Sequence, residues 1–210
     1  MSQPCSKQTA LSIVLSAALL TTTLGLFAQE DDATRRAWNR AVPPTRIVGN
    51  LYYVGAAEVA SYLIVSRHGC ALIDGGLPET AAVVLSNLET LGIRPKQIRW
   101  LLSTHGHFDH AGGLAELKAR SGASLAALPA EQPLLERGGL GDPNFGDSFY
   151  FPAVRVDRLI KDREVIKVGG VTLIAHHTPG HTPGNTSWEV VQRLQGKTVR
   201  AVIVGSITAP

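Results

Sequence analysis

The feature that most constrains this chain is a dense run of metal-binding side chains at residues 103–110. Three histidines and one aspartate fall within six residues, namely His105, His107, Asp109 and His110. Zn²⁺ prefers imidazole nitrogen and carboxylate oxygen in a tetrahedral shell. Because the run follows a short apolar stretch at residues 98–102, we expect it to form a loop beyond a strand. On such a loop His105 and His107 can converge on one ion, while Asp109 and His110 can serve a second.

A second histidine-bearing segment, residues 176–184, reads HHTPGHTPG. Its two Pro-Gly pairs predict rigid turns at the end of a strand. His181 is framed by these turns, and we predict it as the third ligand of the first ion. His176 and His177 have weaker claims: one of them can hydrogen-bond a ligand, but a structural or surface role is favoured, since a lone histidine is usually not a ligand.

Three protein nitrogens and a water molecule form the pattern of a catalytic zinc with an open position. The metal lowers the pKa of its water to roughly 7, so that hydroxide is available at neutral pH. We predict that Asp109 is catalytic, orienting this hydroxide and accepting its proton. A second ion at Asp109 and His110 would stabilise the leaving group. Asp74 precedes Gly75-Gly76 and either hydrogen-bonds a ligand or caps the turn, and both alternatives remain open.

The order of apolar segments predicts a layered α/β domain. Hydrophobic residues make up 44% of the chain, which is sufficient for a core. We predict helices at 78–91, opening with Pro78 as its first residue, at 113–120 and at 130–137. A long loop at 138–152 is a candidate functional segment. The predicted strands lie at 47–55, 60–66, 70–73, 98–102, 124–128, 154–160, 165–168, 171–176, 186–191 and 199–204.

The first 28 residues are typical of a secretory signal peptide. Lys7 precedes an apolar run that ends at Ala28, and charged residues begin at Glu30. Residues 29–210 then form one domain, which we expect in the periplasm or secreted, without stable membrane association. A membrane anchor is the alternative, because the run is long enough to span. The net charge is +3 with no basic stripe, which gives no support to a nucleic-acid partner.

The motif His-x-His-x-Asp-His with a downstream Pro-Gly-His-Thr resembles the metallo-β-lactamase superfamily. Three flanking stretches narrow the resemblance to subclass B3 metallo-β-lactamases: LIDGGLP at 72–78, HFDHAGG at 107–113 and GHTPGNTSW at 180–188. The resemblance covers about residues 36–210. Its motifs are highly specific for the fold and less specific for the substrate, because lactonases and thioesterases share them.

The resemblance implies a four-layer αββα sandwich with the metals at one edge, between two sheets. By position, His105, His107 and His181 would hold the first zinc, and Asp109 and His110 would begin the second site. Family members continue beyond the point where this sequence stops and there supply a further histidine. The resemblance therefore implies two Zn²⁺ ions in the complete protein, with the last part of the second half missing here and the second site one histidine short.

The resemblance also implies substrate-binding residues. Ser206 and Thr208 match hydroxyls that bind the substrate carboxylate in the family, with an ordinary turn as the alternative. Trp38 and Phe145 would form the lip of the groove over a bulky substrate, with simple packing as the alternative.

The leading hypothesis is zinc-dependent hydrolysis of β-lactam antibiotics, namely penicillins, cephalosporins and carbapenems, which would confer antibiotic resistance. A zinc-bound hydroxide would attack the β-lactam carbonyl, and we expect a monomer with a small-molecule substrate. A lactonase or thioesterase of the same fold is one alternative. An inactive metal-binding fragment is the other.

Overall fold

The computed structural model describes residues 33–208, so the predicted signal peptide lies outside the described residues. The chain divides into two units, Met1–Trp38 and Asn39–Pro210. In the first unit, residues 33–38 form a helix, α1, in which Trp38 is 39% exposed. The remaining description concerns the second unit.

The larger of two sheets has seven strands that follow one another in chain order. Neighbouring strands are antiparallel from β1 to β4 and parallel from β4 to β7. The strands are β1 (Thr45–Val48), β2 (Leu51–Tyr53), β3 (Tyr62–Ser66), β4 (Gly69–Ile73), β5 (Ile98–Leu102), β6 (Ser124–Ala127) and β7 (Arg158–Leu159). The parallel strands place their carboxyl ends at one edge of the sheet.

The smaller sheet has four antiparallel strands in the order β11-β10-β9-β8. They are β8 (Val165–Val168), β9 (Val171–His177), β10 (Thr186–Leu194) and β11 (Lys197–Ile203). The turn between β9 and β10 carries the second histidine segment.

Two predicted strands differ from the structure. The predicted strand at 47–55 was wrong, because a turn at Gly49, whose φ is +53°, splits it into β1 and β2. The side chain of Gln192 stabilises this turn by accepting a hydrogen bond of 2.9 Å from the N–H of Asn50. Of the predicted strand at 154–160 only Arg158–Leu159 pairs with the sheet.

The helices are α2 (Thr80–Thr90), α3 (Phe108–Ala111), α4 (Leu114–Ser121) and α5 (Gln132–Glu136). The prediction that Pro78 is the first residue of a helix was wrong, because α2 begins at Thr80. A turn precedes Thr80, whose hydroxyl accepts a hydrogen bond from the N–H of Leu77. The histidine run is only partly a loop, since α3 begins directly after His107.

The period-two alternation of the strands separates two layers of core. Leu63, Leu72 and Leu101 face the cluster that contains the buried residues of α2, α4 and α5. Ile64, Ile73 and Leu102, each one residue further on, face the cluster between the two sheets. Both sets are fully buried, so a shift of one residue would exchange them between the two layers, and the register decides which layer each side chain joins. The mixed α/β fold that the sequence predicts is confirmed.

Within residues 33–208, the cluster between the sheets receives no side chain from a helix. The described layers are therefore helices, the first sheet and the second sheet. Among these residues no helix combines the length and the apolar character needed to cross a membrane.

Candidate metal centre

The ends of β4, β5 and β6 bring three segments together at one edge of the first sheet. Asp74 follows β4, the histidine run follows β5, and Glu131 lies a few residues beyond β6. Because parallel strands place their carboxyl ends on the same side, side chains at these ends converge. The turn between β9 and β10 reaches this edge from the second sheet, where the N–H of Thr186 donates a 2.8 Å hydrogen bond to the carbonyl of Thr104.

Three histidines form the centre of the site. One ligand atom from each of His105, His107 and His181 lies within 4.8 Å of the others. Nδ1 of His107 is 2.9 Å from Nε2 of His181. Nε2 of His105 is buried and has no hydrogen-bond partner among the described residues. A buried polar nitrogen without a partner is costly, so this atom fits a position that a metal ion would fill.

Two of these three rings are hydrogen-bonded through their other nitrogen, and a carboxylate lies close to that of the third. The hydroxyl of Thr104 lies 3.0 Å from Nδ1 of His105, and that of Thr208 lies 3.1 Å from Nδ1 of His181. Oδ2 of Asp142 lies 3.1 Å from Nε2 of His107, which is an ion-pair distance without the geometry of a hydrogen bond. Partners of this kind fix the tautomer and the orientation of metal-binding histidines. The arrangement leaves Nε2 of His105, Nδ1 of His107 and Nε2 of His181 for one ion.

A second group of ligands adjoins the first. His105, Asp109 and His110 each offer an atom within 4.8 Å of the others, so the two groups share His105. Nε2 of His110 is 3.7 Å from Oδ2 of Asp109, while Nδ1 of His110 lies 2.9 Å from Oδ2 of Asp74. The predicted second pair, Asp109 and His110, is thus brought together beside the three-histidine group.

The electrostatics keep two of the central histidines neutral. Burial, reinforced by the neighbouring histidines, lowers the pKa of His105 far below its usual value. Burial also lowers the pKa of His107, although the charge of Asp142 opposes it. Neutral imidazole is the form that binds a metal, so neither ring must lose a proton on binding. Burial alone would lower the pKa of His110, but the hydrogen bond and charge of Asp74 outweigh it and raise this pKa.

Asp74 supports the site and does not merely end a turn. Its buried carboxylate accepts hydrogen bonds from the N–H of Thr104 at 2.8 Å and from the Thr104 hydroxyl at 2.7 Å, in addition to its contact with His110. Its φ is +60°, an uncommon conformation for a residue other than glycine. Of the two alternatives that the sequence leaves open, the geometry favours support of His105 and His110.

The predicted substrate-binding residues lie in different surroundings. The ring of Phe145 is 5.0 Å from the ring of His107 and is 38% exposed, so it lies at the rim of the site. The hydroxyls of Ser206 and Thr208 are 3.0 Å apart, and that of Thr208 also contacts His181. Trp38 belongs to the first unit, and its predicted role stays a prediction.

The remaining histidines of the second segment are structural. His176 pairs with Glu189 at 2.9 Å, and Nε2 of His177 lies 2.8 Å from the carbonyl of Pro183. Each ring is thus engaged by a partner outside the two ligand groups of the described residues. Sequence reasoning favoured this role for both.

Sequence reasoning missed Asp142 and Glu131, two buried acidic residues at the site. Asp142 lies in the long loop that was singled out as functional, and an acidic residue in such a loop was the available signal. Glu131 lay inside a predicted helix, where a glutamate is ordinary, and no local signal distinguished it. A cavity of about 350 Å³ beside the metal centre is bounded by both residues, together with His107, His181 and Arg137.

Comparison with known proteins agrees with this geometry. Residues 54–203 match the metallo-beta-lactamase superfamily. A metallo-beta-lactamase with a HARLDQ motif from Cronobacter sakazakii is 42% identical, with a TM-score of 0.75, over 79% of this chain and 63% of that one. The native metallo-beta-lactamase from Legionella gormanii is 38% identical, with a TM-score of 0.76, over 80% of this chain and 65% of that one. A subclass B3 enzyme of Bradyrhizobium japonicum is 35% identical, with a TM-score of 0.75, over 82% and 65%.

The curated relatives found by sequence include hydrolases other than β-lactamases. A "Probable metallo-hydrolase" of Burkholderia pseudomallei (strain 1710b) is 32% identical over 67% of this chain and 51% of its own length. A hydroxyacylglutathione hydrolase of Anaeromyxobacter dehalogenans is 33% identical over 64% of this chain and 43% of its own. The chain thus spans about half the length of the curated relatives it matches.

The fold of this family implies a divalent metal, and the two ligand groups described above can hold one. The chain belongs to the metallo-beta-lactamase superfamily of metal-dependent hydrolases.

Proposed function

We propose that this chain carries the zinc centre of a β-lactamase, which hydrolyses the amide bond of the β-lactam ring. The observation that carries the proposal is the 42% identity with the Cronobacter sakazakii metallo-beta-lactamase over 79% of the chain. Identity with the hydroxyacylglutathione hydrolase of Anaeromyxobacter dehalogenans is lower, at 33%, and covers 64% of the chain. Because the chain spans part of each relative, the activity proposed is that of the whole protein.

The donor set supports zinc as the metal. Three neutral imidazoles suit Zn²⁺ better than the hard cations Mg²⁺ and Ca²⁺, which prefer oxygen. When bound, the ion would polarise the substrate carbonyl and lower the pKa of a coordinated water to about 7. His105, His107 and His181 would hold it, and Thr104, Asp142 and Thr208 would keep the three rings in place.

Asp109 is the candidate for proton transfer. Its side chain is 39% exposed and lies beside His110 at the second ligand group. A carboxylate here can accept a hydrogen bond from the attacking water, orient it toward the substrate carbonyl and take up its proton. A general base held within hydrogen-bond reach contributes about 10²–10⁴-fold to a rate.

The rim of the site offers contacts for a β-lactam. Phe145 presents an exposed aromatic face beside His107 and can pack on the apolar side chain of the antibiotic. Ser206 and Thr208 carry hydroxyls that can donate to the substrate carboxylate. Because Thr208 also contacts His181, its hydroxyl would link the substrate carboxylate to a metal ligand.

A second candidate function is hydrolysis of a thioester, for which the named hydroxyacylglutathione hydrolases are the motivation. The same three histidines would hold the metal, and a thioester carbonyl would replace the lactam carbonyl. A lactone is a further ester-like substrate for this centre.

The test is turnover by the purified protein with added Zn²⁺ and after EDTA treatment. Nitrocefin, a carbapenem, an acyl-homoserine lactone and a hydroxyacylglutathione thioester are compared, with His105→Ala as the inactive control. Zinc-dependent opening of a β-lactam supports the proposal. Turnover of only the thioester or the lactone would transfer the assignment to that class. Zinc binding without any turnover would indicate the inactive metal-binding form.

The proposal includes export to the periplasm or secretion, where β-lactams encounter cell-wall synthesis. It rests on the sequence of residues 1–28, typical of a signal peptide. Expression in a bacterial host, cell fractionation and mass spectrometry of the amino terminus test it. A processed protein beginning at Gln29 outside the cytoplasm is expected, and a cytoplasmic protein with an intact leader would contradict it.

A further inference from the structure

A buried carboxylate joins the two segments that carry the three central histidines. Glu131 is 2% exposed. Its Oε2 accepts a hydrogen bond of 2.7 Å from the N–H of Gly106, between His105 and His107. Its Oε1 accepts from the hydroxyl of Thr182 at 2.6 Å and from the N–H of Gly184 at 2.8 Å, beside His181. One side chain thus spans both ligand segments.

Both segments carry glycine where they meet this carboxylate. A Cβ on Gly184 would lie 2.7 Å from Cγ and 2.8 Å from Oε1 of Glu131, and a Cβ on Gly106 would lie 3.2 Å from Oε2. Neither glycine has a positive φ. A side chain at Gly184 would therefore displace the carboxylate of Glu131, whereas one at Gly106 would crowd both Leu134 and Glu131 by a few tenths of an ångström.

Capping of helix α5 does not explain the side chain. Glu131 precedes Gln132 as the N-cap residue, yet its side chain makes no capping hydrogen bond to the helix. The carboxylate is directed instead at the ligand segments. No Lys or Arg forms an ion pair with it among the described residues, so its buried charge depends on the three donors of those segments.

We propose that Glu131 is a positioning residue, which sets the separation of His105 and His107 from His181 and thereby determines the affinity and geometry of the metal site. The inference rests on the three-histidine site of the proposed function and not on the identity of the substrate. In the absence of this carboxylate, the two segments would keep the backbone hydrogen bond from Thr186 to Thr104 but lose the three bonds that meet at Glu131, and binding of the ion would have to order the residues beside the ligands. Partners that orient metal ligands change metal affinity by about 10–100-fold.

The experiment compares Glu131→Gln with the matched variant Glu136→Gln. Glu136 belongs to the same helix and accepts hydrogen bonds from Gln132 and from the N–H of Val156, so its loss disturbs local packing without touching a ligand segment. The zinc Kd is measured by competition with a chelator, and the visible absorption spectrum of the Co²⁺-substituted protein reports coordination geometry. Circular dichroism establishes that each variant is folded.

We expect Glu131→Gln to raise the zinc Kd about 10–100-fold and to shift the Co²⁺ spectrum. The amide has one oxygen instead of two, so its NH₂ group would face donors of one ligand segment that need an acceptor. Glu136→Gln should retain the wild-type Kd and spectrum. A folded Glu131→Gln protein with both wild-type values would overturn the proposal. Both measurements are made without substrate, so failure to hydrolyse β-lactams would count against the proposed function alone.

A second variant decides the matter if Glu131→Gln does not fold. Thr182→Val removes one of the three donors and keeps the shape of a buried side chain. It should weaken zinc binding severalfold and shift the Co²⁺ spectrum in the folded protein, whereas wild-type affinity and an unchanged spectrum would contradict the positioning role.

Discussion

Nδ1 of His107 lies 2.9 Å from Nε2 of His181, although 74 residues separate them along the chain. The two rings meet because β5 ends at the same edge as the turn between β9 and β10. Between two neutral imidazoles such a contact needs one nitrogen to donate, whereas a metal ion would use the lone pairs of both. The contact therefore brings together two nitrogens that a single metal ion could use as ligands.

The first prediction concerns this pair. His181→Ala should raise the zinc Kd of the three-histidine site by more than about 100-fold, the upper range for residues that only orient ligands, because a ligand atom itself is lost. Metal content after dialysis and chelator competition measure the effect. His177→Ala is the matched control, since its ring contacts the carbonyl of Pro183, and it should bind zinc like the wild type. Equal zinc content in both variants would contradict the assignment of His181.

The second prediction separates catalysis from metal binding. Asp109→Asn should lower kcat by about 10²–10⁴-fold, since the amide cannot take up the proton of the attacking water. The zinc Kd of the three-histidine site should stay unchanged. Steady-state kinetics on nitrocefin and metal titration provide the two readouts. Glu89→Gln, an exposed change on α2, serves as the control, and a wild-type kcat for Asp109→Asn would remove Asp109 from the mechanism.

The sequence predicts the parts of the site that are local. His105 and His107 are two residues apart, and the strand before them follows from a short apolar run. The central strands are buried on both faces, as at Leu72 and Ile73, so they can be identified from short continuous apolar runs.

Apart from the meeting of His181 with the histidine run, contacts between distant segments were not predictable. Gly49 splits an apolar run whose composition is that of one strand, and the turn is stabilised by Gln192, far along the chain. Glu131 and Asp142 likewise gain their roles only when the fold places them against Gly106 and His107. Periodicity contains no information on such contacts, since each depends on which strand ends meet in three dimensions.

The third prediction tests the support of His107. Oδ2 of Asp142 lies 3.1 Å from Nε2 of His107, and both side chains are buried. Asp142→Asn keeps an oxygen for the N–H groups of Asn144 and Phe145 but removes the charge beside His107. We expect the zinc Kd to rise about 10-fold. Asp147→Asn changes the same loop at a residue that accepts from the N–H of Gly141, and comparable losses in both variants would indicate a general effect of the loop.

The fourth prediction concerns the core beneath the site. Trp188 is fully buried, and its Nε1 donates a 3.2 Å hydrogen bond to the carbonyl of Ser103, two residues before His105. Trp188→Phe leaves this carbonyl without its partner and should lower the free energy of unfolding by about 1–3 kcal/mol. Urea denaturation measures it. Trp100→Phe changes a half-buried position where Arg158 lies over the ring, and it should lower the free energy of unfolding by less. A larger loss for Trp100→Phe than for Trp188→Phe would refute the role given to Trp188.

The last prediction is a pH dependence of stability. The carboxylate of Asp157 pairs with Lys118 at 2.6 Å and accepts from the N–H of Leu125 at 2.9 Å. Burial alone would raise the pKa of Asp157, but the hydrogen bonds from Lys118 and Leu125 and the charges of Lys118 and Arg155 outweigh it and lower this pKa. Because the folded pKa lies below the unfolded value of about 3.9, the unfolded chain binds the proton first on acidification. The stabilisation is thus fully present above the unfolded pKa and is lost as the pH falls through the folded pKa.

Asp157→Asn should accordingly destabilise the metal-free protein at pH 7 by about 1 kcal/mol, a modest value because the pair is partly hydrated. The difference from wild type should shrink as the pH falls below about 4, where the wild-type carboxylate is also protonated. Urea denaturation of EDTA-treated protein from pH 7 to pH 3 measures this. Glu116→Gln, which breaks an exposed pair with Arg120, should change stability little at any pH. A constant difference between Asp157→Asn and wild type over the whole range would mean that the carboxylate stabilises by packing and not by its charge.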